Sequence, residues 1–202
     1  MNRQMFSTCQ QLILASSSPR RQQFLRDLGI TFTVITTDVD ETPMHNEQPA
    51  AFALRIARTK AMPVATVNSG GWVIGADTVV TLPDGTILGK PDSKKQALDM
   101  LSRLNNATHL VMTGACLCCL DKEFETTLVE TTEVTFMDIP EEVLWAYVQT
   151  GEPLDKAGAY GIQGLGSFLV KSINGSCTNV IGLPVNRLVS LLLTNKIIKP
   201  LP

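Results

Sequence analysis

Segments typical of strands and of helices alternate along the first half of the chain, whereas hairpin signals dominate its second half. The stretch from Ile13 to Gly29 begins this alternation and is typical of a buried strand, a tight turn and an amphipathic helix. Ser18 is a good N-cap for that helix, and Pro19 suits its first position. Alternating elements favour the α/β class, and hairpins add antiparallel strands. The sequence therefore predicts an α/β fold built on a mixed sheet rather than on a purely parallel one.

The remaining elements follow from hydrophobic periodicity and from glycine and proline punctuation. The predicted helices run from about Pro49 to Met62, where Pro63 stops the helix, from a cap at Asp92 or Ser93, from Pro140 to Gly151, and through PVNRLVSLLLTN. The predicted strands are one before the acidic segment DVDE, one in GWVIGADTVVTL with its hairpin LPDGTILGK, and a long hairpin over LVMTGACLCCL and FETTLVETTEVTFMDI. The segment from Gly151 to Gly166 carries five glycines in sixteen residues. We predict that it is a functional loop, with a flexible connector as the alternative.

The bulk composition is that of an ordinary globular protein, with 44% hydrophobic and 18% charged residues in a chain of 202. We expect one domain over residues 1–202, in which residues 1–11 form an N-terminal extension. The net charge of −2 argues against a general nucleic-acid binder. The N-terminus lacks an apolar signal core, and no apolar run is long enough for a membrane span. We therefore expect a cytoplasmic protein with no membrane or nucleic-acid partner.

Five cysteines, an odd number, do not suggest a disulfide framework. Cys116, Cys118 and Cys119 lie together in a strand-like run, where small buried side chains are the ordinary explanation. Zinc motifs need a second cysteine pair or histidines, and the chain has only His45 and His109. We therefore expect reduced thiols, and a redox or metal module built on the three cysteines is the alternative.

Arg20 and Arg21 occupy the first turn of the first predicted helix. This turn is the positive end of the helix dipole, where a cation is unfavourable by about 0.3–1 kcal/mol. A bound anion would reverse that effect, because free N–H groups, the hydroxyls of Ser16 to Ser18 and both guanidiniums would converge on it. The sequence therefore predicts an anion site at the turn. The alternative is that both arginines point into solvent.

Two further charges fall where periodicity predicts burial. A helical wheel places Lys60 in the middle of the apolar face of the second predicted helix, opposite Arg55 and Arg58. Strand alternation places Asp77 on the same face as Gly75, whose missing side chain would leave room for a ligand. Snorkelling of the lysine and termination of the strand by the aspartate are the alternatives. We predict that both charges point inward.

Lys90 ends the returning strand of the hairpin and is predicted to lie near the base of the Asp77 strand. Two lysines, two arginines and one inward aspartate suggest a negatively charged ligand with a divalent cation. A triphosphate fits better than a monophosphate, since several cations are assembled without a Walker A or GxGxxG motif. Metal-assisted phosphoanhydride hydrolysis needs such a carboxylate and such cations. Asp38, Asp40 and Glu41 are further acidic candidates, although an acidic loop is often only solvated.

The sequence resembles the Maf family of nucleoside triphosphate pyrophosphatases through motifs in a characteristic order: ASSSPRR, DVDE, RIARTKA, GADTVV, GKP, GEPLDKAGAYGIQG and GLP. The resemblance extends from about Leu12 to the final helix. It implies an elongated mixed sheet with flanking helices, in two lobes around a deep cleft, as in inosine triphosphate pyrophosphatases. It also implies a homodimer, a requirement for Mg²⁺ or Mn²⁺, and cleavage of a nucleoside triphosphate to the monophosphate and pyrophosphate.

Within the family, PRR, the threonine of GADT and GAYGIQG are similar to the branch that acts on dTTP and UTP rather than on 7-methyl-GTP. By that similarity, Asp77 would accept a proton from the attacking water, and Asp77 with Glu41 would position the metal. The residues expected to set base choice are Arg20, Thr78 and Gln163. Those expected to hold the triphosphate are Ser16, Arg21, Lys60 and Lys90, of which the two lysines also belong to the catalytic set.

Three points stay open from the sequence. Thr59 stands where the family usually has a glutamate before its helix lysine, which removes one candidate acid. The substrate is an ordinary pyrimidine triphosphate, a modified one, or a purine nucleotide, and the role is house-cleaning of nucleotides or a part in cell-division arrest. The rival hypothesis from another class is a nucleotide-binding regulator of septum formation without significant turnover.

Overall fold

The computed structural model describes residues 4–202, so the first three residues of the predicted extension lie outside it. The strands are β1 (Phe6–Thr8), β2 (Leu12–Leu14), β3 (Thr33–Val34), β4 (Trp72–Thr81), β5 (Ile87–Leu88), β6 (Thr108–Cys119), β7 (Phe124–Phe136), β8 (Val170–Asn174) and β9 (Ile198–Pro200). The helices are α1 (Pro19–Asp27), α2 (Pro49–Val67), α3 (Lys94–Leu104), α4 (Glu141–Gln149), α5 (Cys177–Ile181) and α6 (Val185–Thr194). Short 3₁₀ turns lie at Leu120–Lys122, Glu152–Asp155, Ala157–Ala159 and Gly164–Leu169.

Within the described residues, seven strands form one mixed sheet in the order β3-β2-β4-β6-β7-β8, with β5 beside β4. Strand β2 pairs in parallel with β3 and β4, whereas β5 pairs antiparallel with β4 and β8 antiparallel with β7. The parallel pairs therefore belong to the early alternating segments, and the antiparallel ones to later segments. The predicted α/β fold with a mixed sheet is confirmed. Strand β1 pairs with β9, so part of the segment predicted as an extension forms a small second sheet.

The chain divides into two compact units. The first contains the chain up to Asp77 together with Thr113–Val129 and Gly182–Pro202. The second contains Thr78–Met112 and Glu130–Ile181. Strands β4, β6 and β7 contribute residues to both units.

Helices cover both faces of the sheet in the first unit. Leu12 and Leu14 of β2 belong to the same buried cluster as residues of α1 and α6, whereas Ile13 clusters with residues of α2. Alternate residues of a strand point to opposite faces, so α2 lies on one face and α1 with α6 on the other. The second unit has a core of its own, in which α3 and α4 pack on β7 through Leu101, Leu144 and Phe136.

The prediction that Pro63 ends the second helix is wrong, because α2 continues to Val67. Proline removes the hydrogen bond that its amide would give to the carbonyl four residues earlier. Pro63 lies on the exposed side of α2, where water can take the place of that amide. Ala61, Val64 and Ala65 are buried, and this packing outweighs the local preference for a stop.

No helix between residues 4 and 202 combines the length and the apolar character that crossing a membrane requires.

Candidate active site

The turn between β2 and α1 brings Ser16 and Arg21 into contact. Ser18 caps α1 as predicted, since its hydroxyl accepts a hydrogen bond from the Arg21 amide at 3.5 Å. The Arg21 guanidinium is buried and donates from Nη1 to Ser16 Oγ at 3.0 Å and from Nε to the carbonyl oxygen of Gly182 at 2.7 Å. Exposure to solvent, the alternative for both arginines, is therefore wrong for Arg21.

Arg20 lies in a different environment from Arg21, because it is only half-buried. Burial is the main cause that lowers the pKa of Arg21, and the charge of Arg20 lowers it further, whereas the carboxylates of Asp77 and Glu41 act in the opposite direction. These interactions place Arg21 within electrostatic reach of two acidic side chains. The turn thus carries one fixed, buried cation and one more accessible cation.

Helix α2 lies directly against β4 and β6 at two glycines. A Cβ atom added to Gly75 would be 2.1 Å from the carbonyl oxygen of Ala57, and one added to Gly114 would be 2.4 Å from that of Ala53. No side chain tolerates contacts this short, so only glycine permits the approach at either position. The prediction that Gly75 leaves room for a ligand is wrong, because the helix backbone fills that space.

This close packing sets Lys60 beside Asp77. Lys60 follows Ala57 by three residues, and Asp77 follows Gly75 by two, so both side chains lie on the packed faces of helix and strand. Lys60 Nζ lies 2.7 Å from Asp77 Oδ1 and 2.7 Å from Glu41 Oε1. The side chains of Lys60 and Asp77 are 14% and 10% exposed, and that of Glu41 is 46% exposed. The predicted inward orientation of the lysine and the aspartate is confirmed.

Burial raises the pKa of Asp77, and the neighbouring charges of Lys60 and Arg21 offset this only in part. An ionised carboxylate with a raised pKa is a stronger proton acceptor than an ordinary one. Buried titratable groups held against specific charges are typical of catalytic sites. Asp77 therefore has the electrostatic environment of a general base.

Residues 38–48, which we call the acidic loop, present Glu41 to Lys60. Arg55 of α2 fixes this loop, since its Nε and Nη2 donate to the two carboxylate oxygens of Glu47 at 2.7 Å each. Nη2 also donates to the carbonyl oxygen of Thr42, the residue after Glu41, at 3.1 Å. Neither Arg55 nor Glu47 was a predicted site residue, because helical periodicity does not show where a long side chain reaches.

Asp77 and Glu41 are the two carboxylates predicted to hold a divalent cation. Both contact the same ammonium group, so their oxygens converge on one cationic position. Mg²⁺ is commonly held by one or two carboxylates together with water and substrate phosphates, so this pair fits such an ion. Among residues 4–202, no three His, Cys, Asp or Glu side chains converge in a way that could hold a metal.

The remaining predicted residues belong to the second unit. Thr78 follows Asp77 on β4 and is half-buried, and Lys90 is exposed, two residues after β5. Gln163 is exposed in the segment from Gly151 to Gly166, which we call the glycine loop. The first unit holds the other predicted residues, which are Ser16, Arg20, Arg21, Glu41, Lys60 and Asp77.

The glycine loop is ordered around a carboxylate that was not a predicted site residue. Glu152 accepts hydrogen bonds from the amides of Leu165 and Gly166 at 3.0 and 3.1 Å and from the Tyr147 hydroxyl at 3.1 Å. The Tyr147 hydroxyl accepts a further bond from the amide of Gly161 at 3.3 Å. The loop is thus closed by its own hydrogen bonds and folded into 3₁₀ turns, so the alternative of a flexible connector is wrong.

All five cysteines lie among the described residues and are free thiols. Cys116, Cys118 and Cys119 are buried in β6, as predicted for small core side chains. A hydrogen bond with Cys118 and burial raise the pKa of Cys116, which keeps its thiol protonated. Buried cysteines in apolar surroundings are generally inert, so the burial of all three side chains does not favour a redox module at this strand.

Solved structures with a similar fold include two Ham1 proteins. The Ham1 protein of Staphylococcus aureus aligns with 92% of this chain and 99% of its own, with a TM-score of 0.52 and 13% identity. The HAM1 protein of Coxiella burnetii aligns with 93% of this chain and 100% of its own, with a TM-score of 0.51 and 15% identity. The chain is therefore an α/β protein whose fold is similar to that of the Ham1 proteins.

Sequence comparison narrows this class to one family. The family model described as Maf-like protein matches residues 11–195. A dTTP/UTP pyrophosphatase of Nitratidesulfovibrio vulgaris is 52% identical over 189 residues, which are 93% of this chain and 89% of that protein. A dTTP/UTP pyrophosphatase of Desulfotalea psychrophila is 47% identical over 195 residues, 96% of this chain and 99% of that protein. The chain belongs to the Maf family.

Proposed function

We propose that this protein is a nucleoside triphosphate pyrophosphatase that hydrolyses dTTP and UTP to the nucleoside monophosphate and pyrophosphate. The observation that carries the proposal is the cluster of Lys60, Asp77 and Glu41, in which a buried carboxylate of raised pKa lies beside the Lys60 ammonium. Two relatives that are 52% and 47% identical carry the name dTTP/UTP pyrophosphatase, which supports both the reaction and the substrates.

The proposed chemistry uses each member of the cluster for one task. Asp77 takes a proton from the attacking water as the water oxygen forms a bond to a phosphorus of the α–β phosphoanhydride. The bond between the α- and β-phosphates breaks, and pyrophosphate leaves from the nucleoside monophosphate. Lys60 and Arg21 neutralise the charge that develops on the phosphates, and Ser16 donates a hydrogen bond to them. Roles for Lys90 in phosphate binding, and for Arg20, Thr78 and Gln163 in base choice, rest on the family resemblance.

Asp77 and Glu41 would hold the divalent cation, Mg²⁺ or Mn²⁺. When bound, such an ion neutralises phosphate charge and orients the phosphoanhydride for attack. The convergence of both carboxylates on one ammonium supports this assignment. We also propose a homodimer, from the family resemblance, and a cytoplasmic location, which the five free thiols support.

The test is release of pyrophosphate from a panel of ribo- and deoxyribonucleoside triphosphates in the presence of Mg²⁺. We expect dTTP and UTP to react fastest. Asp77→Asn should lose at least about 100-fold in kcat, as expected for removal of a general base. Asp99→Asn, which alters an exposed carboxylate on α3, is the matched control and should keep full activity.

Each rival hypothesis gives a different result in this assay. Nucleotide binding without pyrophosphate release would favour a regulator, and faster reaction of a purine nucleotide would overturn the proposed base choice. Full turnover by Asp77→Asn would exclude Asp77 as the base. Activity that is lost when Cys116, Cys118 and Cys119 are together replaced by alanine or serine, in a variant that still folds, would favour the cysteine module.

A further inference from the structure

The acidic loop has no regular secondary structure between Asp38 and Gln48. Glu41 is about half-exposed, so apolar packing does not fix its side chain. Holding such a loop in one conformation costs about 1–2 kcal/mol of backbone conformational entropy for each ordered residue. Polar contacts must therefore determine where Glu41 lies.

Arg55 supplies those contacts from a rigid helix. Its guanidinium forms a two-bond ion pair with Glu47, and the side chains of Arg55 and Glu47 are only 26% and 10% exposed. The hydrogen bonds from Arg55 lower the pKa of Glu47 to about 2, so the pair stays ionised at neutral pH. The guanidinium also lies over the Phe52 ring at 5.3 Å, which restricts its orientation.

The loop closes on this ion pair at several points. Glu47 accepts a third bond, from the Met44 amide at 3.0 Å, and within the loop Asp40 accepts one from the Thr42 amide at 2.9 Å. Arg55 binds the Thr42 carbonyl oxygen, while Lys60 binds the side chain of the preceding residue, Glu41. Two consecutive loop residues are thus held by two cations that lie five positions apart on α2.

We infer that Arg55 and Glu47 are positioning residues that hold Glu41 at the Lys60 and Asp77 pair. The inference rests on the proposed function of that cluster. Because Arg55 contacts the loop and not Asp77, its loss should displace Glu41 and leave the Lys60 to Asp77 contact in place. The effect should therefore fall on the requirement for the cation rather than on the chemical step.

The experiment compares Arg55→Gln with Arg58→Gln. Both variants remove a guanidinium from α2 that bonds both oxygens of one glutamate, but Arg58 pairs with Glu125 of β7 and not with the acidic loop. For Arg55→Gln we expect the Mg²⁺ concentration that gives half-maximal dTTP hydrolysis to rise about tenfold, as for other residues that support a metal ligand. At saturating Mg²⁺, kcat should recover most of its value. Arg58→Gln should leave the Mg²⁺ dependence unchanged.

A second readout does not depend on activity. Hydrogen exchange of the amides in the acidic loop should become faster in Arg55→Gln and in Glu47→Gln, and stay unchanged in Arg58→Gln. The double variant Arg55→Gln/Glu47→Gln should shift the Mg²⁺ dependence no further than either single variant, because both remove the same ion pair. Arg55→Lys keeps the charge without the two-bond geometry and should restore only part of the function.

Unchanged loop exchange together with unchanged Mg²⁺ dependence in Arg55→Gln would overturn the inference, and so would lower thermal stability with no change in Mg²⁺ dependence. If Arg55→Gln does not fold, Glu47→Gln decides the matter by the same two readouts. Lack of hydrolysis by the wild-type protein would instead contradict the proposed function. In that case faster hydrogen exchange in the acidic loop would still support Arg55 and Glu47 as the residues that position the loop, and unchanged exchange would overturn that inference.

Discussion

The two units bury polar groups by different means. In the first, two ion pairs are buried or nearly buried, Lys60 with Asp77 and Arg55 with Glu47, while the buried Arg21 donates to neutral oxygens. In the second, His109 Nε2 lies 2.8 Å from the Tyr160 hydroxyl, and Glu152 is surrounded by backbone amides and a tyrosine hydroxyl. The polar partners of the second unit are therefore mostly neutral.

Buried ion pairs and hydrogen bonds from neutral groups prepare a binding site in different ways. A buried ion pair can exchange one partner for a ligand of the same charge, because the arriving ion replaces the contact that is lost. Hydrogen bonds from neutral partners such as backbone amides and hydroxyls hold one shape, since they offer no charged partner that a ligand ion could replace. The first unit is thus suited to binding a charged ligand that replaces one member of an ion pair, and the second to holding a loop in one conformation.

The largest effect is expected when the contact between α2 and the sheet of the first unit is disturbed. Gly75→Ala places a methyl group against the Ala57 carbonyl, and we expect a loss of about 3 kcal/mol of stability, near the upper end for overpacked cores. Urea unfolding would measure it. Gly89→Ala is the control, because a Cβ there has no neighbour within 4 Å, and it should stay within about 0.5 kcal/mol of wild type. Equal stability of the two variants would contradict the packing argument.

The neutral state of the buried His109 in the second unit can be tested by changing the pH. Burial lowers the pKa of His109 to about 4, whereas the unfolded side chain titrates near 6.5. Between these values only the unfolded chain binds the proton, so stability should fall as the pH drops from about 6.5 to about 4, by up to about 3 kcal/mol. Unfolding curves at pH 7 and 4.5 should show a smaller drop for His109→Phe than for wild type. His45→Phe, at an exposed position, should retain the full drop.

A smaller effect is expected when the glycine loop loses part of its acceptor. Glu152→Gln keeps one oxygen for the Tyr147 hydroxyl and the loop amides, and we expect a loss of about 1–2 kcal/mol. If Gln163 reads the base, the same variant should raise KM for dTTP about tenfold with little change in kcat, because the loop is displaced while the charged cluster is intact. Steady-state kinetics measure this change. A fall in kcat alone would argue against a binding role for the loop.

The weakest effect is expected at an exposed ion pair of the first unit. The side chains of Arg58 and Glu125 are 52% and 36% exposed, so Arg58→Gln should cost at most about 1 kcal/mol at low salt. The difference from wild type should disappear at about 1 M salt, because exposed charges are screened. A difference that persisted would show that exposure is a poor guide to the strength of ion pairs on α2.

Local rules were enough to predict several features of the site. Ser18 follows capping preferences, Lys60 follows the helical wheel, and Asp77 follows strand alternation. Each of these signals depends on neighbours within a few residues. The family motifs added the partnership of Asp77 with Glu41, which are far apart in the sequence and both contact Lys60.

Other features depend on tertiary contacts and could not be predicted. Pro63 stays inside α2 because buried residues follow it, and Gly75 serves the helix backbone rather than a ligand. Glu47 and Glu152 are glutamates in loops, which are usually solvated, and only the fold shows that each has several partners. The reach of a side chain and the approach of two backbones are not encoded by periodicity.

The position of Lys60 between Asp77 and Glu41 implies that binding of the metal ion depends on binding of the nucleotide. Because this ammonium already contacts both acids, the divalent ion of the proposed function must compete with a covalently tethered cation for the same two oxygens. Phosphates that draw the lysine away would remove that competitor, so occupancy by metal should track the supply of nucleotide more closely than the concentration of the metal itself.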